Sequence, residues 1–210
     1  MFMQKALILL AGPPGTGKSY FGNQILKDMP AFEMVSPDSI REKIFDQYGF
    51  DNLEEKRRLT DLAWKEYYLV LEEKMKAEKM LLSDYPFSWK QRDRLQELTV
   101  RYGYRVITVR LSADIRILYE RQQARDLALD RHRGHIFSHY HKGDEDTDRS
   151  AADDLVTFAH FEARARNRGY FSFRLGDLLE IDVTSFETAR YEEKLQTLKK
   201  MLAESRESVS

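Results

Sequence analysis

Residues 7–19 read LILLAGPPGTGKS. An apolar run breaks off into three glycines and two prolines, then ends in a lysine and a serine. A plain turn needs one glycine, perhaps two, so something must approach this backbone closely. Gly12, Pro13, Pro14, Gly15, Thr16, Gly17, Lys18 and Ser19 fit G-x-x-x-x-G-K-[ST] in full. The match sits where such a loop works, after a run that reads as a buried strand (Lys5 to Ala11) and before one that opens a helix. Consecutive N–H groups in such a loop form a concave anion site, and the helix N-terminus adds partial positive charge. The loop therefore reads as a cradle for ATP, contacted by residues 12–19 and the adjoining Tyr20. Lys18 is expected to bridge the β- and γ-phosphates and Ser19 to bind Mg²⁺.

The rest of the chain sets the context. Its 210 residues fit one domain with a sizeable core. With no cysteine, disulfides and thiolate metal sites are excluded, and a reducing, cytoplasmic setting is expected. The apolar run Ala6 to Ala11 is too short for a signal sequence, and no run approaches a membrane span. Net charge is −1, but residues 89–142 hold 12 basic and 6 acidic side chains. Such a local excess reads as an anion site or as a solvated helical face.

Beyond the first strand and its helix to about Asp28, Phe32 to Val35 reads as a second strand, stopped by Ser36-Pro37. Asp38 is expected to cap a helix through about Gln47. Residues 54–79 read as one long helix, Met80 to Ser83 as a third strand, and Trp89 to Tyr102 as a helix ended by Gly103. Arg105 to Leu111 reads as a fourth strand and Asp114 to Leu127 as a helix. Residues 128–148 show no period and read as a loop or lid. A helix is expected over 151–167, a fifth strand over Leu179 to Val183, and a last helix over Phe186 to Glu204. Strands separated by helices imply a parallel sheet covered on both faces.

Three further stretches carry candidate chemistry. Asp84 closes the third strand in MLLSDYPF, where an α/β sheet places ligands. It is a candidate to hold Mg²⁺ through water or to orient an acceptor; a turn cap is the plain alternative. No second acid follows it, as a hydrolytic ATPase would need, which favours transfer to a bound acceptor. In SPDSIREKI, Asp38 and Arg41 share a face of the first helical turn. An ionised aspartate there can accept a proton from a hydroxyl, and an arginine can grip an anionic group. In YERQQARD, Arg121 and Arg125 share a helix face and suit the charge of phosphoryl transfer; one of them could instead stack on adenine.

The loop GPPGTGKS, the Asp38-x-x-Arg41 pair, Asp84 and the Arg121-x-x-x-Arg125 pair together resemble the P-loop kinases related to polynucleotide kinase, often catalogued as AAA-type ATPase-like domains, with zeta-toxin-like relatives. The resemblance covers most of residues 5–185. It implies a P-loop NTPase α/β three-layer sandwich, with a five-stranded parallel sheet, helices on both faces and a lid. Residues 1–210 would form a single kinase domain with a lid or acceptor segment around 128–150. It further implies Asp38 as general base, Arg41 on an acceptor's phosphate, Asp84 in the acceptor region and Arg121 and Arg125 over the phosphates. Asp182 to Ser185, after the last strand, would flank adenine, although Asp182 reads equally well as a strand-end cap.

RHRGHIFSHYHKGDED holds His132, His135, His139 and His141 at irregular spacings. The segment reads as a mobile lid more readily than as a metal site. The neighbouring acids (Asp144, Glu145, Asp146 and Asp148) would latch the lid or stand in solvent, and a nucleic-acid strand would avoid them. With a pI near 6.5 and no basic stripe, a long polynucleotide partner is not expected. The aromatic residues of 158–173 read as core before stacking platforms. The expected activity is ATP- and Mg²⁺-dependent phosphoryl transfer to a hydroxyl of a small molecule or a nucleic-acid end. A nucleotide-dependent switch recruiting a protein partner through the 54–79 helix, and a kinase acting on a sugar nucleotide, remain open alternatives.

Overall fold

The computed structural model describes residues 5–144, 148–187 and 189–204. β1 (Ala6–Ala11) lies at the middle of a five-stranded sheet, between β3 (Met80–Asp84) and β4 (Arg105–Ser112). β2 (Phe32–Met34) and β5 (Asp177–Asp182) form the edges, and every pairing is parallel. Parallel neighbours need crossovers, and the helices supply them. They are α1 (Lys18–Asp28), α2 (Pro37–Tyr48), α3 (Leu53–Lys76), α4 (Trp89–Tyr102), α5 (Ile115–Asp126) and α6 (Phe158–Asn167), with α7 (Tyr191–Ala203) after the last strand.

The alternation of β1 divides the core in two. Ala6, Ile8 and Leu10 pack with Phe21 and Ile25 of α1 and Leu195 and Leu198 of α7. Leu7, Leu9 and Ala11 face the other way, onto Tyr67, Leu71 and Met75 of α3 and Leu95 and Leu98 of α4. A strand buried on both faces has no polar positions, which is why ALILLA shows no hydrophobic alternation. Each buried leucine contributes about 1.5–3 kcal/mol by leaving water. This is the three-layer α/β sandwich that the strand–loop–helix reading implied. Phe161, Tyr170 and Phe173 are buried, as the core reading of that aromatic stretch expected.

Three local expectations are corrected. The helix expected from residue 151 starts only at Phe158, because Asp153 and Asp154 turn to other partners. Ser138 N donates to Asp153 Oδ1 at 2.7 Å, Lys56 Nζ to Asp154 Oδ2 at 2.6 Å, and Thr157 takes the N-cap. The last helix starts at Tyr191 and not at Phe186, since Arg190 at its N-cap is in the left-handed region, φ 47°. Asp38 is not the cap of α2: Ser36 is, with Pro37 at the first helical position. The Asp38 carboxylate is thereby released from its own backbone. Of the acidic run, Glu145 and Asp146 lie outside the described residues, while Asp144 and Asp148 turn their carboxylates onto the nearby N–H groups of His141 and Ser150.

The loop after β1 owes two of its glycines to its own scaffold. Gly12 has φ +118°, and a Cβ there would stand 2.0 Å from the carbonyl oxygen of Leu111. Gly15 has φ +84°, with the Leu118 carbonyl oxygen 2.4 Å from such a Cβ. The loop is thus pressed against β4 and α5 backbone whether or not a ligand is bound. Gly12→Ala is expected to lower the unfolding free energy by roughly 2–6 kcal/mol, from backbone strain plus the forced shift of β4. A urea titration reads this directly; an unchanged midpoint would mean that the neighbouring strand yields.

Candidate active site

The loops at the C-terminal ends of β1, β2 and β3 meet at one edge of the sheet, where parallel α/β folds bind ligands. Lys18, the first residue of α1, folds back under the loop. Its Nζ donates to the carbonyls of Gly12 (3.0 Å) and Pro13 (2.8 Å) and lies 3.3 Å from Thr16 Oγ1. Thr16 Oγ1 in turn donates to Pro13 O at 2.9 Å. Burial, helped by the charge of Arg125, lowers the Lys18 pKa from 10.5 to about 7, although Asp84 and Asp38 push it back up.

That value has a measurable consequence. Between about 7 and 10.5 the ligand-free fold carries fewer protons than the unfolded chain, so stability contributed by Lys18 rises with pH across this window. A polyphosphate seated on the loop favours the ammonium form. At pH 8, where free ATP is fully ionised, nucleotide binding is expected to draw up to about one proton from solution. Calorimetry in buffers of different ionisation enthalpy counts it. Uptake should vanish in Lys18→Met, and equal uptake in that variant would assign the proton elsewhere.

Ser19 and Asp84 form the second element. Ser19 Oγ donates to Asp84 Oδ2 at 2.8 Å, across the register that sets Leu10 beside Asp84. Asp84 Oδ1 is buried without a hydrogen-bond partner of good geometry, although Ser36 acts on the carboxyl group. Burial raises the Asp84 pKa, and the Asp38 charge adds to the rise. A hard cation would satisfy this oxygen, and a hydroxyl, a carboxylate and phosphate oxygens are the donor set that Mg²⁺ takes. Among the described residues no group of three or more His, Cys, Asp or Glu could hold a metal ion.

Asp38 and Arg41 face each other, with Arg41 Nη2 donating to Asp38 Oδ1 at 2.8 Å. The same Nη2 lies 3.0 Å from His135 Nδ1, and His135 Nε2 lies 2.6 Å from Glu42 Oε1. Burial and the nearby Arg41 charge lower the His135 pKa well below its ordinary value, so the ring is neutral. An arginine cannot accept, so Nδ1 is the acceptor and Nε2 carries the hydrogen that Glu42 receives. A lid histidine thus helps to fix Arg41, a role the irregular histidine spacing did not reveal.

The remaining lid histidines do not gather: His139 lies edge-on to the Phe137 ring, and the other two pair singly with carboxylates. His132 Nε2 is 2.9 Å from Asp46 Oδ1, which also accepts from Tyr140 OH at 2.5 Å, and His141 Nε2 is 2.8 Å from Asp51 Oδ1. Tyr140 bridges antiparallel to Phe50. The segment is therefore fastened to the end of α2 through carboxylates on either side of Phe50.

Arg121 and Arg125, on one helix face in the sequence, are separated in space. Arg125 enters the cavity and acts on Lys18. Arg121 donates to the carbonyls of Val183 (2.7 Å) and Thr184 (2.9 Å) and lies 3.9 Å over the Phe186 ring. Its guanidinium braces the loop after β5 beside Gly17, where a Cβ would stand 3.4 Å from the Phe186 ring. Asp182 accepts from Thr184 N at 2.8 Å, the strand-end cap. Tyr20 is exposed and its ring packs near Tyr191.

Lys18, Ser19, Asp38, Arg41, Asp84, Arg125 and His135 line one open cavity of about 510 Å³, and Arg121 and Tyr20 do not. Lys18, Ser19, Arg125 and Asp84 stand at one end. Beyond Asp38 and Arg41, the cavity continues between α3 (Thr60, Trp64), the β3–α4 loop (Tyr85), the start of α4 (Lys90) and the end of α6 (Arg164, with Arg168 at its C-cap). Sequence reasoning passed over this second half. Arg164 and Arg168 repeat the four-residue spacing noted in α5, and that was the available signal.

A family model described as an AAA domain matches residues 7–136. The chain belongs to this AAA-domain family. No curated protein matches it. Among solved structures, a provisionally named kinase from Chloroflexus aurantiacus superposes with a TM-score of 0.74 at 24% identity, over 95% of this chain and 98% of that one. A gluconokinase from Sinorhizobium meliloti gives 0.55 at 12% identity, over 97% and 98%. Shikimate kinase from Bacteroides thetaiotaomicron gives 0.52 at 15%, over 95% and 99%. At these identities the likeness is one of fold. That fold is the P-loop kinase fold which the sequence resemblance implied. The AAA-domain match stops at His135-Ile136, so the α6 wall of the cavity lies outside it. Among the described residues no helix is long and apolar enough to cross a membrane.

Proposed function

We propose that this protein is a kinase, moving the γ-phosphoryl group of ATP to a hydroxyl of a small acceptor. The observation that carries the reading is the continuous cavity, with a buried loop lysine and the Ser19–Asp84 pair at one end and Asp38 where the cavity leads onward. A hydrolase needs no such second compartment. The loop amides of 12–19 and Lys18 hold the phosphate chain, and Arg125 faces its terminal group. Ser19 and Asp84 would hold Mg²⁺, which when bound offsets phosphate charge. Asp38 accepts the proton of the acceptor hydroxyl as its oxygen bonds to phosphorus and the bond to the ADP oxygen breaks. The transition state is loose and the nucleophile sheds its proton late, so a carboxylate paired with arginine is base enough. Positioning and charge neutralisation supply most of the acceleration. The whole chain acts as one kinase domain, with 128–150 as its lid.

The test is a transfer assay with γ-labelled ATP, Mg²⁺ and pooled hydroxyl compounds. Label in a new organic product supports the kinase. Label appearing only as inorganic phosphate, with nucleotide-dependent capture of a protein, supports the switch.

A further inference from the structure

The far half of the cavity carries charge that ATP does not account for. Among the described residues, nine Lys and Arg side chains and five Asp line the cavity. Three of those carboxylates are neutralised within it: Asp38 by Arg41, Asp126 by Arg131 and Asp154 by Lys56. Asp84 is tied to Ser19 and faces Lys18, and Asp61 is exposed on α3. Arg125 belongs with the phosphates. Like Arg57 on α3, Arg164, Arg168 and Lys90 have no carboxylate within ion-pair distance among the described residues.

The fold brings these three together. Arg164 lies in the last turn of α6 and Arg168, four residues on, is its C-cap, so both cations stand at the same end of the helix. Gly169, just after α6, lets Trp89 approach: a Cβ there would stand 2.2 Å from Trp89 Nε1. Trp89 opens α4, so Lys90 is carried to the same wall. Arg168 Nη1 reaches Tyr170 OH at 3.4 Å. Tyr85 stands among them: its phenol feels the charges of Arg41, Asp38 and Arg168 and the phenol of Tyr170. The one cavity is thus lined by Asp38, the phenols of Tyr85 and Tyr170, and these three exposed cations.

We infer that the acceptor carries an anionic group, a phosphate monoester or a carboxylate, which docks on Arg164, Arg168 and Lys90 while its hydroxyl lies at Asp38. Guanidinium forks match the paired oxygens of either group, and Tyr85 and Tyr170 add hydroxyl donors. The inference rests on the kinase reading for the role of the docked molecule, but the anion site itself is testable without turnover.

With the nucleotide site filled by a non-hydrolysable MgATP analogue, ribose 5-phosphate is titrated against ribose, and gluconate against glucose, by calorimetry. At least one anion is expected to bind roughly tenfold or more tightly than its neutral partner, and which one separates phosphate from carboxylate. The preference should fall to within about threefold in Arg164→Gln/Arg168→Gln and weaken in Lys90→Gln. Melting curves check that each variant is folded, and Arg168→Gln alone replaces the double variant if it is not. No preference for either anion, or one that survives in these variants, overturns the inference. Transfer of label to ribose and glucose as fast as to their charged partners also overturns it, while leaving the kinase standing. An arginine-dependent anion preference without any transfer keeps the site and removes the kinase.

Discussion

Replacing Asp38 by asparagine is expected to leave MgATP affinity within about threefold of wild type and to lower phosphoryl transfer by roughly 10²–10⁴. Asparagine keeps an oxygen that Arg41 Nη2, now 2.8 Å from Asp38 Oδ1, can still reach, so the arginine stays in place. What is lost is the ability to take a proton. Nucleotide affinity should not fall, because the substitution removes a negative charge near the phosphate end. Steady-state kinetics with the acceptor, beside a nucleotide titration, separate these effects. A variant with unchanged turnover would remove Asp38 from the chemistry and leave it only as a strut for Arg41.

Lys18→Met carries the other large effect. Transfer is expected to fall by about 10²–10³ or more, the cost of losing one preorganised donor to the transferring group. Methionine fills the same volume without charge, so the core around α1 is preserved. The carbonyls of Gly12 and Pro13 lose a donor, while the fold no longer buries a polar amino group; these act in opposite directions on stability. Nucleotide affinity and turnover should therefore fall far more than the unfolding midpoint. A midpoint that collapses in step with activity would mean that Lys18 serves the loop and not the ligand.

The sheet was legible because β1 announces itself: an unbroken apolar hexapeptide leading into GPPGTGKS fixes a buried central strand, a phosphate-binding loop and the start of α1. Asp84 was legible for the same reason, since it ends a strand beside β1. Asp38 reads as a helix cap because aspartate prefers that position; Ser36-Pro37 supplies the stronger start, and the carboxylate turns to Arg41. The helix starts near 151 and 186 were not legible because side chains there find tertiary partners, Asp154 with Lys56 and Phe186 with Arg121, which no local period records. The basic excess of residues 89–142 does supply Lys90, Arg125 and Arg131 to the cavity. Arg164 and Arg168 come from the end of α6 and its C-cap, and Lys56 and Arg57 from α3, so a window along the chain divides a site that the fold unites. The family model, which stops at residue 136, shares that blindness to the α6 wall.

The central claim is that the loop over residues 12–19 presents a terminal phosphoryl group to Asp38. A crystal structure with Mg²⁺ and a non-hydrolysable ATP analogue tests it most directly. The expected result is a phosphate chain within the loop amides and on Lys18, a metal ion on Ser19 Oγ, and the γ-phosphorus facing the Asp38 carboxylate across a gap wide enough for one hydroxyl. A nucleotide bound elsewhere, or a γ-phosphate walled off from Asp38, would contradict it.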